Sequence, residues 1–378
     1  MFNKLLLSLV LSLSLTVAIA QPQEAKDLYY KGTDHVDFFE YEEAIEALKK
    51  AIAIDPKYVD ALYELGFCYN ETKKYKDAIV VLEKAVKVDP KFAKVYFELG
   101  YAYDLTDQFE TALKHYNKYL ELRPEDRYTY RNIGDVYYIT YKYADALANY
   151  EKYFTAPKVD SGYYYKAGWC ANDLGKHNEA LAYFEKYNPT KDDDKAKKAV
   201  EIGYAHYKLK NNDKALDSYN KALSFKPNYG SALSGLGNVN YYNLANHAEA
   251  IKYYELALKH DEANMKALYY TLGYLYNDNS RYDDAINILL KGVEYEPKYV
   301  GVREELGYAY YMKTNTVDAE IQLKKAIELD PKGFLGYYYL GLCYNYQGKK
   351  DDAKKMAEKL KTVNKDYSVK LLNKINGN

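Results

Sequence analysis

The stretch ELGYAY runs from Glu98 to Tyr103 and returns letter for letter from Glu305 to Tyr310; a near copy, ELGFCY, spans Glu64 to Tyr69. Such an identity is either a chemical motif used twice or a structural unit used many times. Aligning the chain on the glycine decides between them. Equivalent glycines stand at Gly32, Gly66, Gly100, Gly134, Gly168, Gly203, Gly237, Gly273, Gly307 and Gly341, in steps of 34, 34, 34, 34, 35, 34, 36, 34 and 34 residues. Twelve residues after nine of them comes an alanine: Ala44, Ala78, Ala112, Ala146, Ala180, Ala215, Ala285, Ala319 and Ala353, with Ala250 displaced by one in the seventh copy. A fixed period of this length marks a stack of supersecondary units, none of which can bury its apolar face alone.

Each unit carries two apolar patterns of helical spacing. In the second, Leu62, Leu65 and Tyr69 recur at i, i+3, i+7, and Ala78, Leu82 and Ala85 do so further on. The intervening turn is polar or contains glycine, as in NETKKY and YQGKK. Small residues at the glycine and alanine positions predict a close crossing of the two helices. Asp55-Pro56, Asp89-Pro90 and Asp330-Pro331 are expected to open the following helix, with Asp as cap and Pro in the first turn. The alternation of a β-strand is absent.

These features resemble the tetratricopeptide repeat. With Gly66 as the eighth position of its unit, Leu62, Leu65, Gly66, Tyr69, Ala78, Leu82, Ala85 and Pro90 all fall on signature positions; Leu306, Tyr310, Ala319, Leu323, Ala326 and Pro331 do so in the ninth unit, where Arg303 departs at the fourth position. The expected organisation is ten repeats, at 25–58, 59–92, 93–126, 127–160, 161–195, 196–229, 230–265, 266–299, 300–333 and 334–364, followed by a capping helix and tail at 365–378. The cap is read from Tyr367, Leu371 and Ile375 at four-residue spacing, beside Val369 and Leu372. The resemblance implies an all-α fold, a right-handed α-solenoid with a concave groove. Departures are Tyr119, Tyr153 and Tyr187, where the family has a small residue, and an insertion near NLANHAEA. NPTKDDDK, from Asn188 to Lys195, is expected to form a solvated turn and seam.

Residues 1–20 read as a secretory signal peptide: Lys4, an apolar core from Leu5 to Leu15, and Ala18-Ile19-Ala20 as the cleavage pattern, followed by a short segment at 21–24. That implies export, to a bacterial periplasm or beyond. No later segment is apolar enough to span a bilayer. The 53 basic and 54 acidic residues become 52 and 54 without Lys4, a formal charge of −2, which offers no general attraction to nucleic acid.

Catalytic and metal chemistry find no constellation here. Cys68, Cys170 and Cys343 each stand two residues after a repeat glycine, in a slot otherwise held mostly by small apolar residues, so they read as buried thiols. His35 and His206 take the slot usual for tyrosine. Phosphate-loop, dinucleotide and nucleophile-elbow motifs are absent, as are metal-ligand spacings. No enzyme, metal or cofactor is expected.

Tyrosine is the remaining signal, at 49 residues. The family's groove is lined by first-helix positions 2, 5, 9, 12 and 13. On this resemblance, the candidate ligand-binding residues are Phe67, Tyr101, Trp169, Tyr204, Tyr274 and Tyr308 at position 9, Tyr165 at position 5, and Tyr138, Tyr207, Tyr241 and Tyr311 at position 12. Phenol and indole rings offer large contact area with a polar handle. The expected function is an exported, non-enzymatic scaffold binding a protein or peptide segment, with a role in assembly or maintenance of the cell envelope. The alternatives are binding of an envelope polysaccharide and a structural part in a secretion or surface assembly.

Overall fold

The computed structural model describes residues 22–377; the proposed signal peptide lies outside them. All regular structure among the described residues is helical. The described residues divide into two compact units, the first ending at Tyr163 and the second beginning at Tyr164. In the first, α1 (Gln23–Asp37), α2 (Tyr41–Ile54), α3 (Val59–Glu71), α4 (Tyr75–Val88), α5 (Ala93–Asp104), α6 (Phe109–Leu122), α7 (Thr129–Ile139) and α8 (Tyr143–Tyr153) make successive hairpins. The second contains α9 (Gly162–Asp173), which starts at the boundary, then α10 (His177–Lys186), α11 (Asp192–Lys208), α12 (Asn212–Phe225), α13 (Gly230–Asn238) and a π-helical turn (Val239–Asn243). It continues through α14 (His247–Met265), α15 (Leu268–Asp278), α16 (Tyr282–Tyr295), α17 (Val300–Met312), α18 (Thr316–Leu329), α19 (Phe334–Tyr346), α20 (Lys350–Val363) and α21 (Lys365–Asn376). Within each unit a hairpin's second helix packs on the next hairpin's first helix, and several first helices also touch, as α3 does α5 and α15 does α17. This is an all-α solenoid arrangement.

The repeat glycines hold the hairpins closed by accepting one large side chain each. A Cβ on Gly100 would stand 2.6 Å from Cδ1 of Tyr116, and one on Gly134 would stand 2.6 Å from Cε1 of Tyr150. The partner comes sixteen residues later in nearly every repeat: Leu48, Leu82, Tyr116, Tyr150, Phe184, Tyr219, Leu289 and Leu323. These side chains are buried, and Tyr116, Tyr150 and Phe184 are fully so. Much of the tyrosine excess is therefore core. The tenth repeat has the small Ala357 at that place, and Leu371 of α21 enters the space above Gly341 instead. The capping helix thus completes the last hairpin. Asn364 accepts from the Tyr367 amide at its N-terminus, and Gly377 ends it at φ 81°. Leu371 and Ile375 face inward and Val369 outward.

Several local expectations are corrected. The Asp-Pro pairs do not open helices. Asp55, Asp89 and Asp330 follow the preceding helix, and each accepts from the backbone N–H two residues on, at 3.0, 2.8 and 3.0 Å. The next helix begins three residues after the proline. Asp192, Asp193 and Asp194 are not a solvated turn but the first turn of α11, where carboxylates suit the helix dipole. The sixth repeat's first helix therefore starts inside the span 161–195 assigned to the fifth. Rings of Tyr119 and Tyr187 fold back on their own repeats, at 5.5 Å from Phe97 and 5.3 Å from Tyr165. The seventh repeat's insertion is absorbed by the π turn, where Leu244 N–H reaches the Val239 carbonyl at 3.1 Å. As a result Tyr254 meets Gly237 from seventeen residues away.

The turn between the two helices of each repeat places one residue in the left-handed region. Only Gly175 and Gly348 are glycines there; Phe39, Lys73, Asp107, Tyr141, Lys210, Ala245, Ser280 and Thr314 are not. The geometry recurs because the next amide bonds back to a carbonyl five residues earlier, as Lys74 does to Tyr69 at 2.7 Å. At φ 62°, β-branched Thr314 carries the largest steric cost. Thr314→Gly is expected to stabilise the chain by about 1 kcal/mol. Urea unfolding measures this, and a lower midpoint would contradict the turn assignment.

Candidate functional site: the aromatic face of the first helices

Four of the six position-9 rings share one placement. In the first unit, Phe67 on α3 meets the edge of Tyr41, the first residue of α2, at 6.2 Å and 74°. Tyr101 on α5 meets Tyr75, the first residue of α4, at 6.3 Å and 81°. In the second unit, Tyr204 meets His177 at 6.0 Å, and Tyr308 meets Tyr282 at 6.4 Å. In these four repeats the second helix thus starts with a ring that abuts the next repeat edge-on, a favourable aromatic geometry. Phe67, Tyr101, Tyr204 and Tyr308 are half-buried beside these rings; Trp169 is half-buried too, while Tyr274 is exposed. These rings join repeats and present a face at once.

The other candidates divide by environment. Tyr165 packs on Phe184 and Tyr187. Tyr138 meets Tyr143 at 6.0 Å, and Tyr311 meets Tyr346 at 6.3 Å. The second unit brings more together. Tyr207 lies 6.4 Å from Tyr204 and Tyr241 lies 4.5 Å from Tyr242. Burial, then Tyr242 and Tyr204, raise the Tyr207 phenol; burial, then Tyr274 and Tyr242, raise that of Tyr241. Tyr204, Tyr207, Tyr241, Tyr242 and Tyr274 therefore form one cluster across repeats six to eight. Tyr242, 60% exposed, was missed. Its signal was the insertion, since the π turn that absorbs it carries Tyr241 and Tyr242 together.

Beneath this face lie polar clasps that the period alone did not reveal. Asn70 donates its amide to the Glu98 carbonyl at 3.1 Å and to Glu98 Oε2 at 2.8 Å. Asn277 does the same to Glu305 at 2.9 and 2.9 Å, and Asn172 to Glu201 at 3.1 and 3.2 Å. Each asparagine occupies position 12 and each glutamate position 6 of the following repeat, so adjacent first helices are tied side chain to backbone. Tyrosine takes position 12 at Tyr138, Tyr207, Tyr241 and Tyr311. In these repeats the same slot thus carries either a clasp or an aromatic contact.

The three cysteines are buried, and burial pushes the Cys68 and Cys343 thiols up to about 12. His35 pairs with Glu40 at 2.6 Å; His206 is desolvated, which lowers its pKa. Among the described residues no cluster of His, Cys, Asp or Glu could hold a metal, and no helix is long and apolar enough to cross a membrane.

Burial raises Glu98 to about 7, with Glu71 and Glu64 adding to it and the Asn70 hydrogen bond opposing. Between the ordinary carboxyl pKa of 4.5 and about 7, the folded chain holds a proton that the unfolded chain releases. The stability from this proton is complete below the ordinary value and is lost as pH rises through about 7. Over that window the wild type is expected to lose up to about 1.4 kcal/mol per pH unit more than Glu98→Gln. Urea titrations at pH 5, 6 and 7 give the difference; parallel slopes would remove Glu98 as its source.

Family models described as TPR repeat match residues 40–73, 69–105 and 203–244. Others described as tetratricopeptide repeat match 93–126, 132–195, 239–292, 270–334 and 323–355. No curated protein sequence matches the chain. Similar solved structures include a chain of the Naa15/Naa10 complex bound to HypK-THB, at 16% identity and TM-score 0.44, over 90% of this chain and 63% of that one. The chain thus spans less than two thirds of that relative. YrrB, a TPR protein with an unusual peptide-binding site, is similar at 22% identity and TM-score 0.42 over 49% of this chain and 94% of its own. MamA from Desulfovibrio magneticus RS-1 is similar at 24% identity and TM-score 0.40, over 45% of this chain and 93% of its own.

Proposed function

Because the chain belongs to the tetratricopeptide repeat family, we propose that it is a non-enzymatic scaffold that binds an extended protein segment along the aromatic face of its first helices. The carrying observation is the tyrosine cluster of repeats six to eight. Tyr204, Tyr207 and Tyr241 are held half-buried by their neighbours, while Tyr242 and Tyr274 are exposed at 60% and 37%. Rings fixed by packing lose little freedom when a ligand lands on them, and their hydroxyls can meet the polar backbone of an extended segment. The leader-like residues 1–20 support a role in assembly or maintenance of a bacterial envelope.

Phenol faces also suit sugars, and that is the rival reading. The test uses the full chain on immobilised envelope protein fractions and on a glycan array. Combined replacement of Trp169, Tyr204 and Tyr274 by alanine is expected to reduce peptide capture at least tenfold, with helicity retained by circular dichroism. Undiminished capture would remove the face from the binding role. Micromolar glycan binding lost in the same variant would replace the peptide with a polysaccharide. A stable multiprotein complex indifferent to the substitutions would favour a structural subunit of a surface assembly.

A further inference from the structure

We propose that the sixth repeat holds a second binding site, for a small organic carboxylate with a compact apolar body, on the side of its hairpin away from the aromatic face. A cavity of about 310 Å³ lies between α11 and α12. Ile202 contributes to its wall and stands two residues before Tyr204, which is roughly 200° round the helix. The site is thus separate from the face described above.

The lining chemistry defines the ligand. Three lysines enter the cavity, Lys195, Lys198 and Lys221, and no acidic residue lines it. Lys195 is engaged, paired with Asp192 at 2.8 Å. Lys198 donates one hydrogen bond, to the Tyr187 carbonyl at 2.6 Å, which leaves two of its three donors. Lys221, among the described residues, has neither a hydrogen bond nor an ion pair from its ammonium. Nearby the arrangement is the opposite: Lys197 and Lys226 share the carboxylate of Asp193, at 2.7 and 2.6 Å. The hairpin neutralises these outer lysines and leaves Lys198 and Lys221, both lining the cavity, without a carboxylate partner. Burial, joined by the Lys221 charge, pulls Lys198 below its usual range, with Glu185 opposing.

An anion between Lys198 and Lys221 would relieve that repulsion through charge-assisted hydrogen bonds from two helices. Apart from Asn188, exposed at the rim, and Ser218, the remaining wall is apolar: Ala199 is buried, and Pro189, Ile202 and Phe225 are half-buried. The Ser218 hydroxyl donates to the Lys214 carbonyl at 2.7 Å, so it adds no free donor for a larger anion. Two cationic heads over a short apolar wall fit a monocarboxylate with a few carbons behind it. Such a group occurs in a free organic acid or at the C-terminus of a chain ending in an apolar residue.

Isothermal titration of the full chain tests this with hexanoate and N-acetyl-glycyl-leucine, each against its neutral amide. Saturable binding of either acid, with the amide weaker by about tenfold, supports the site, and the tighter acid names its source. Lys198→Met and Lys221→Met are each expected to weaken the acid about tenfold, whereas Lys197→Met retains wild-type affinity. Equal binding of acid and amide would overturn the proposal, as would full affinity in Lys221→Met. Inorganic phosphate displacing hexanoate at equal concentration would also overturn it, because the apolar wall would then contribute nothing.

Discussion

A missing Cβ governs this molecule. In every repeat but the last a glycine lets one large side chain of the second helix sit against the backbone of the first, and that contact sets the helix spacing. Everything else adapts to it. The fitted residue is leucine in some repeats and an aromatic ring in others, as with Leu82 over Gly66 and Tyr116 over Gly100. The end of the solenoid obeys the same demand. With Ala357 too small, the capping helix supplies Leu371, so the terminal helix belongs to the hairpin's interior as much as to its surface.

The period, the hairpin count and the cap were legible in the sequence because glycine and alanine mark helix crossings at fixed intervals. The glycine's partner was not. The alanine twelve residues on is buried too, but it is the residue sixteen on that fills the glycine. Asp55-Pro56 misled because proline after aspartate suits a helix start and a turn equally; the hydrogen bond from Lys57 makes it a turn. Asp192 to Asp194 looked solvated by composition, and they are, yet solvated acids also begin helices. Pairings such as Asn70 with Glu98 join residues 28 apart and become visible only once neighbouring first helices lie side by side.

The aromatic face follows from the same packing. Phe67, Tyr101, Tyr204 and Tyr308 at position 9 are half-covered because a second helix begins with a ring at their edge, and a tyrosine at position 12 replaces an asparagine that would otherwise tie two repeats together. The initial glutamate of ELGYAY belongs to these ties, at Glu98 and again at Glu305. Of the motif's six residues, five serve the stack at both positions. Tyr101 and Tyr308 alone reach the face, and even they lean on Tyr75 and Tyr282.

The π turn at Val239–Asn243 bears on interchangeability. A chain of near-identical modules invites half-modules to trade places, whether between two copies of the chain or between repeats of one gene. Most halves here are compatible, since the fitted side chain lies sixteen residues from its glycine. In the seventh repeat the interval is seventeen. A second helix borrowed from elsewhere would present its large residue one position out, about 100° round the helix and off the glycine. The bulge therefore makes one module of the array unique, and gives an otherwise repetitive chain a fixed point.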